Sequence, residues 1–248
     1  MNASDRPLEG RSALVVGGSG GIGAETAVAL AALGADLVVH GGSSEARLEA
    51  TLGRIRDKGS SASGFLARLE TFADAGPILE RVQGTDILVV AHGPFLQSPL
   101  HETGAADWER LAAMDLALPG ALVSAALPGM RARAWGRILL FGGTRTELPR
   151  AFKTNAAYAA CKTGLSSLTR SVAAEYARDG IASLLACPGY VDTEYLSPAF
   201  RADYAPKAPR GRLTPAPALG AWLARLLADE PPLWNGAVLT LDEGLPGY

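Results

Sequence analysis

Seven short runs rich in aliphatic and β-branched residues recur along the chain, each parted from the next by a segment of helical length and pattern. They are Ala13–Val16, Asp36–His40, Gly64–Ala67, Asp86–Val90, Arg137–Phe141, Ile181–Ala186 and Ala237–Leu241. Strands joined through helices run parallel, since a helix needs a crossover longer than any hairpin turn. The spacing therefore predicts an α/β fold with a seven-stranded parallel sheet flanked by helices. Two of the intervening segments carry explicit apolar stripes: Leu48, Leu52 and Ile55 in one, and Leu219, Trp222, Leu223, Leu226 and Leu227 in the other. With 248 residues and 48% hydrophobic content the chain suits one large domain with a substantial core. No internal repeat, low-complexity tract or linker divides it, so a single domain over 1–248 is expected.

Two segments break the alternation. Ala91 to Thr103 is rich in Gly and Pro, and Tyr190 to Pro215 holds Pro198, Pro206 and Pro209 among aromatics and charges. Both follow predicted strands and so belong at the carboxyl edge of the sheet, where open α/β folds bind ligands and where loops carry function.

The formal net charge of −2 gives no support for a nucleic-acid partner. Cys161 and Cys187 lack metal-binding spacing, and His40, His92 and His101 do not cluster in sequence with cysteines or carboxylates, so no metal site and two reduced structural thiols are expected. Met1 to Arg11 has no apolar signal core, and no uncharged apolar stretch approaches the ~20 residues that span a bilayer. The expectation is a soluble cytoplasmic protein with no membrane partner.

Val15-Val16-Gly17-Gly18-Ser19-Gly20-Gly21-Ile22-Gly23 ends the first run and opens a helical one. Glycines let the chain turn tightly and bring backbone N–H groups against a pyrophosphate, which the helix N-terminus then favours. Two registers fit: Gly18, Gly20 and Gly23 satisfy G-x-G-x-x-G, and Gly17, Gly21 and Gly23 satisfy G-x-x-x-G-x-G. Either way, the position directly after a strand favours nucleotide binding over a merely flexible turn. Far downstream, Tyr158 and Lys162 stand four residues apart on one helical face. A phenol titrates near pH ~10, and a neighbouring ammonium stabilises its anion. So tuned, it gives a proton to a carbonyl oxygen or takes one from an alcohol. Taken alone, the pair is equally a surface Tyr and a surface Lys.

The glycine segment in its second register, Tyr158-x-x-x-Lys162 and Cys187-Pro188-Gly189-Tyr190-Val191-Asp192-Thr193 follow one another in the order and approximate spacing of the short-chain dehydrogenases/reductases, a family the chain resembles down to Gly236–Gly244. The resemblance implies a single Rossmann-type doubly wound domain, a nicotinamide cofactor and a homo-oligomer, tetramer or dimer. It assigns Gly17, Ser19, Gly21, Ile22, Gly23, Gly42, Ser43 and Gly93 to the cofactor, and Pro188, Gly189, Val191 and Thr193 to its carboxamide end. Tyr158 becomes the general acid/base, and Lys162 lowers its pKa and binds the nicotinamide ribose.

Departures from the family pattern matter as much. NAD-preferring members end the second strand with an acid, whereas here the stretch is His40-Gly41-Gly42-Ser43-Ser44. This opening, with Arg47 near it, leans toward NADP(H), with NAD(H) as the alternative; the two serines could equally cap the next helix. The family's Asn-Asn-Ala-Gly reads Val90-Ala91-His92-Gly93, the acid near the adenine becomes Arg68, and the helical asparagine whose backbone carbonyl serves the lysine becomes Asp115. The catalytic serine falls at Gly143; Thr144, 14 residues before Tyr158, is the nearest hydroxyl and is either its substitute or a turn residue. His92 either faces the nicotinamide pocket or is satisfied by a neighbouring carbonyl. Arg145, Arg150 and Lys153 either hold an anionic substrate group or form a solvated face.

The expected function is NADP(H)-dependent interconversion of a small-molecule carbonyl and a secondary alcohol, with 3-oxoacyl carrier-protein reductases as the nearest analogy and residues 190–215 as a lid over substrate. A redox-inactive nucleotide-binding or scaffolding relative, or a non-redox isomerase or lyase using the same phenol, are the alternatives.

Overall fold

The structure, a computed structural model, describes residues 6–245, so residues 1–5 of the N-terminal stretch and the last three residues lie outside it. Its elements in order are β1 (Ser12–Val16), α1 (Gly21–Ala32), β2 (Asp36–Gly41), α2 (Glu45–Arg56), β3 (Ala62–Leu66), α3 (Gly76–Val82), β4 (Ile87–Val90), α4 (Ala105–Ala112), α5 (Leu118–Ala132), β5 (Gly136–Phe141), α6 (Ala156–Tyr176), β6 (Ile181–Pro188), β7 (Val191–Asp192), α7 (Pro198–Tyr204), β8 (Thr214–Pro215), α8 (Ala216–Ala228) and β9 (Val238–Leu241). All seven expected runs are strands of one parallel sheet in the order β3-β2-β1-β4-β5-β6-β9, while β7 and β8 form a separate small pair.

Strand residues point alternately to the two faces, and the sequence fills both. Val15, Val89, Leu139 and Leu184 face a core shared with α1, α2 and α8. Their neighbours Leu14, Val16, Leu88, Val90, Leu140 and Leu185 face a second core shared with α3, α5 and α6. A sheet covered on both faces needs near-continuous apolar strands, which is why the runs stood out. The stripe on α2 is buried as expected. On α8 it is narrower: Leu219, Leu223 and Leu227 are buried with Ala216, Gly220 and Ala224, and Trp222 on the flank is exposed. Small residues there let α8 lie directly on α1, so that a Cβ at Gly220 would come within 2.7 Å of the Glu25 backbone.

The stretch Ala105–Ala132 is helical throughout, with a π-turn at Ala113–Ala117 between α4 and α5. By length and composition it could cross a membrane, longer than the sequence suggested. Here Leu111, Met114, Leu118, Leu122 and Met130 are buried in the protein interior.

Successive connections place β2 and β3 on one side of β1 and β4 on the other. The chain thus leaves the carboxyl ends of β1 and β4 in opposite directions and opens a crevice between them. The segment after β4 and the one after β6 both start at that edge.

Candidate active site

The glycine turn sits at the crevice. Gly17 has φ 80° and Gly21 φ 56°, whereas Gly18 and Gly20 have no positive φ, so the second glycine register is the one the backbone requires; at Gly23, common to both registers, a Cβ would stand 2.3 Å from the Gly17 carbonyl oxygen. His40, at the end of β2, braces the turn: its Nδ1 accepts from the Gly17 N–H at 3.2 Å and its Nε2 donates to the Ala67 carbonyl at 2.8 Å. Nothing in the sequence singled out His40 for this, because its partners come from neighbouring strands. At the start of α1 the Gly21 N–H donates to the Glu194 carboxylate at 2.9 Å. The helix end thus holds an anionic oxygen of the chain itself, as the positive end of a helix favours.

After β2, Gly42 and Ser43 are exposed, and Ser44 caps α2 by accepting from the Arg47 N–H at 3.3 Å, as the capping alternative held. Arg47 also covers the Tyr195 ring at 5.3 Å and lines a depression of about 180 Å³ with Ser19, Gly20, Gly21 and Glu194. Arg54, on the same wall, is held by a two-point pair to Glu25. Arg68 faces Glu70 at 3.4 Å in solvent.

Tyr158 and Lys162 lie on one face of α6, with the Lys162 Nζ 5.8 Å from the phenol ring centroid. The ammonium is buried; it donates to the Phe141 carbonyl at 3.2 Å and pairs with Asp115 Oδ1 at 3.0 Å. Asp115 comes from the π-turn and is wholly buried. It is the Asp115 side chain that meets the lysine. The expectation that Lys162 would draw the Tyr158 pKa toward neutrality meets an opposing effect of burial. Burial raises it well above the ordinary tyrosine range, and the negative charges of Asp115 and of Cys187 when ionised add to the rise. Burial likewise raises Asp115, against the opposing pull of Lys162.

At the position of the family's serine, Gly143 packs directly on the phenol: a Cβ there would lie 2.7 Å from Tyr158 Cε1 and 2.8 Å from its hydroxyl oxygen. The Gly143 N–H donates to Thr146 Oγ1 at 2.8 Å, so Thr146, which the sequence reading passed over, is the hydroxyl that braces this loop. Thr144 lines the cavity beside Tyr158, and its hydroxyl is only loosely engaged, 3.5 Å from the Gly189 carbonyl. Of the three basic residues here, Arg145 lines the cavity at φ 66°, Arg150 pairs with Glu147, and Lys153 is exposed.

These groups border a cavity of about 720 Å³ that Ile22, Gly93, Pro188, Gly189, Val191 and Thr193 also line. Its other wall is aromatic. Phe95 meets Tyr158 edge-on at 5.0 Å, Phe200 stacks on Tyr204 at 4.0 Å, and Tyr190 meets Tyr204 at 4.9 Å. Arg201 staples the segment after β6 by donating to Asp192 Oδ1, Leu196 O and Thr193 O. His92 also borders the cavity. Its Nε2 is buried without a partner, its ring lies edge-on to His40 at 6.3 Å, and burial, with His40 and Lys162 adding, lowers its pKa to about 4. It is therefore neutral through the neutral range. Cys161 and Cys187 are free and buried, the Cys187 thiol pushed up to about 11 by burial.

The site thus joins an anion-accepting helix end, a phenol and an ammonium around one cavity. Comparisons with known proteins agree. A family profile described as short chain dehydrogenase matches residues 11–203. The chain is 32% identical to cis-4-hydroxycyclohexanecarboxylate dehydrogenase of Sinomonas cyclohexanicum, over 94% of this chain and 96% of the relative. It is 30% identical to 3-oxoacyl-(acyl-carrier-protein) reductase of Escherichia coli K12, over 96% and 98%. Among solved structures, a 3-oxoacyl (acyl-carrier-protein) reductase from Agrobacterium tumefaciens C58 with NADP bound superposes with a TM-score of 0.87 at 28% identity, covering 100% of this chain and 98% of that one. With its doubly wound sheet, the family profile over residues 11–203 and relatives of 30% identity or more along nearly its whole length, the chain belongs to the short-chain dehydrogenase/reductase family of oxidoreductases.

Proposed function

We propose that the protein reduces a ketone to a secondary alcohol, reversibly, with NADP(H). The observation that carries this reading is Tyr158, with Lys162, on the wall of a cavity that reaches Ile22 at the start of α1. The chain fits the cofactor: the Gly21 N–H already holds a carboxylate, and bare glycines at 17 and 23 let α1 pack closely on the turn that would cradle the pyrophosphate. Gly17, Ser19, Gly21, Ile22 and Gly23 would hold the pyrophosphate, Gly93 the adjoining ribose side, and Pro188, Gly189, Val191 and Thr193 the carboxamide. Gly42 and Ser43 would flank the adenosine ribose with Arg47, a cation on that wall that favours a 2′-phosphate and supports NADP over NAD. The relative with NADP bound supports the same choice.

When bound, the cofactor supplies or accepts the hydride at the carbonyl carbon. Tyr158 donates its phenolic proton to the carbonyl oxygen, or takes one back from the alcohol. Lys162 donates one N–H to Phe141 and lies in ion-pair contact with Asp115, and a remaining N–H would serve the nicotinamide ribose. Thr144 turns its loosely held hydroxyl from Gly189 to the developing oxyanion. Residues 190–215 close over the substrate as a lid, and their aromatic wall favours a largely apolar ketone. Exposed Trp108 and Leu116 on α4 and the π-turn supply the apolar contact for a homo-oligomer.

Fluorescence titration with NADPH and NADH tests the first requirement, and Tyr158→Phe the second. NADPH should bind more tightly than NADH, and the variant should bind NADPH as before while losing turnover of a ketone panel. Failure to bind either nucleotide, or full turnover by the variant, overturns the reading.

A further inference from the structure

Gly93, Asp115 and Lys162 converge on one point. A Cβ at Gly93 would lie 2.1 Å from Asp115 Oδ1 and 2.9 Å from Lys162 Nζ, so the bare glycine is what lets the carboxylate reach the ammonium. Both charged side chains are buried, Asp115 completely. Lys162 is the cation in ion-pair contact with Asp115 among the described residues, and Arg110 acts on it only from further away. A buried carboxylate needs such a partner, and neither Asp115 oxygen has a hydrogen bond among the described residues to offset its burial, so the ion pair is what compensates the charge. An ammonium so matched projects little net positive charge onto a phenol one helical turn away.

We propose that Asp115 is a positioning residue whose side-chain carboxylate holds Lys162 and cancels its field at the Tyr158 hydroxyl, so that the site gives up a proton throughout the neutral range and accepts one from an alcohol only in alkaline solution. The inference rests on the proton role given to Tyr158 above. The other titratable groups facing the phenol do not oppose it. Cys161 and Cys187 are thiols raised by burial, with Glu147 adding to the rise at Cys187, and His92 is neutral. Arg145 also lines the cavity, but Lys162 is the cation one helical turn from the phenol, and Asp115 engages it directly.

The test follows phenolate absorbance against pH without cofactor, in the otherwise unaltered protein and in Asp115→Asn, with Tyr158→Phe subtracted as blank. The unaltered protein should show no Tyr158 ionisation at or below the ordinary value of about 10. Asp115→Asn should bring that ionisation down by about one to three pH units, as expected when a neighbouring charge changes. Asp115→Ser serves if the asparagine variant does not fold. Equal titrations in both proteins overturn the proposal. So does alcohol oxidation by the unaltered protein that already reaches its plateau near neutral pH, a reading that needs no variant. A shifted titration with no turnover in any protein would sink the oxidoreductase reading and leave this one standing; turnover without the shift would do the reverse.

Discussion

Gly143 offers a sharp test of how the phenol is held. An added Cβ would stand 2.7 Å from Tyr158 Cε1, about 0.7 Å short of the 3.4 Å at which ordinary contact begins. The Gly143 backbone is pinned by Thr146 at 2.8 Å, so the tyrosine must yield instead, toward Phe95, which meets its ring edge-on. A displacement approaching 1 Å at a reacting group lowers the rate by up to about 100-fold, so Gly143→Ala should reduce kcat roughly 30- to 100-fold. NADPH affinity should be little changed, because the glycine turn lies on another strand. Gly143→Ser restores the family's hydroxyl, and a well-aimed oxyanion donor is worth about 100- to 1000-fold. It carries the same Cβ, however, and the same shortfall. Both variants should therefore be slower than the unaltered protein in steady-state ketone reduction at saturating NADPH. An alanine variant with unchanged kcat, or a serine variant faster than the parent, would refute the reasoning, since either requires the tyrosine to move aside freely.

Glu194 sits where a pyrophosphate oxygen is expected, and its carboxylate gains about 0.3–1 kcal/mol from the helix end, the lower part of the range suiting an exposed group. Because the nucleotide must displace it, Glu194→Gln should tighten NADPH binding roughly two- to fivefold at low salt, by the usual tenfold per ~1.4 kcal/mol, and the gain should fade as salt rises. Fluorescence titration decides it; weaker or unchanged binding at low salt would show that the carboxylate does not compete. His92 gives a pH signature. Its folded pKa of about 4 lies below the ordinary 6.5, so between those values the unfolded chain binds the extra proton and stability falls as pH drops. His40, lowered by burial as well, acts in the same direction. His92→Asn should flatten, without abolishing, the fall in urea midpoint between pH 6.5 and 4; an undiminished slope would place the titration elsewhere.

The linear chain was enough to define the sheet, because a strand buried on both faces must be apolar at nearly every position, and that density is visible without coordinates. The glycine turn and the Tyr158–Lys162 pair were equally legible, each being a local spacing with a local meaning. Tertiary structure alone decided everything that depends on residues far apart in sequence. It chose Gly17 and Gly21 by the left-handed turns it gave them, recruited His40 from the adjacent strand, and laid Glu194 on a helix start 173 residues away. It also buried the phenol and brought the Asp115 carboxylate within reach of it, both of which raise its pKa. Four-residue spacing puts Lys162 beside Tyr158, but no spacing reveals that Asp115 meets the same ammonium in a buried site. The physical reason is that periodicity records which face a residue presents. A pKa depends on burial and on every charge within reach, and those are fixed only when the whole chain has packed.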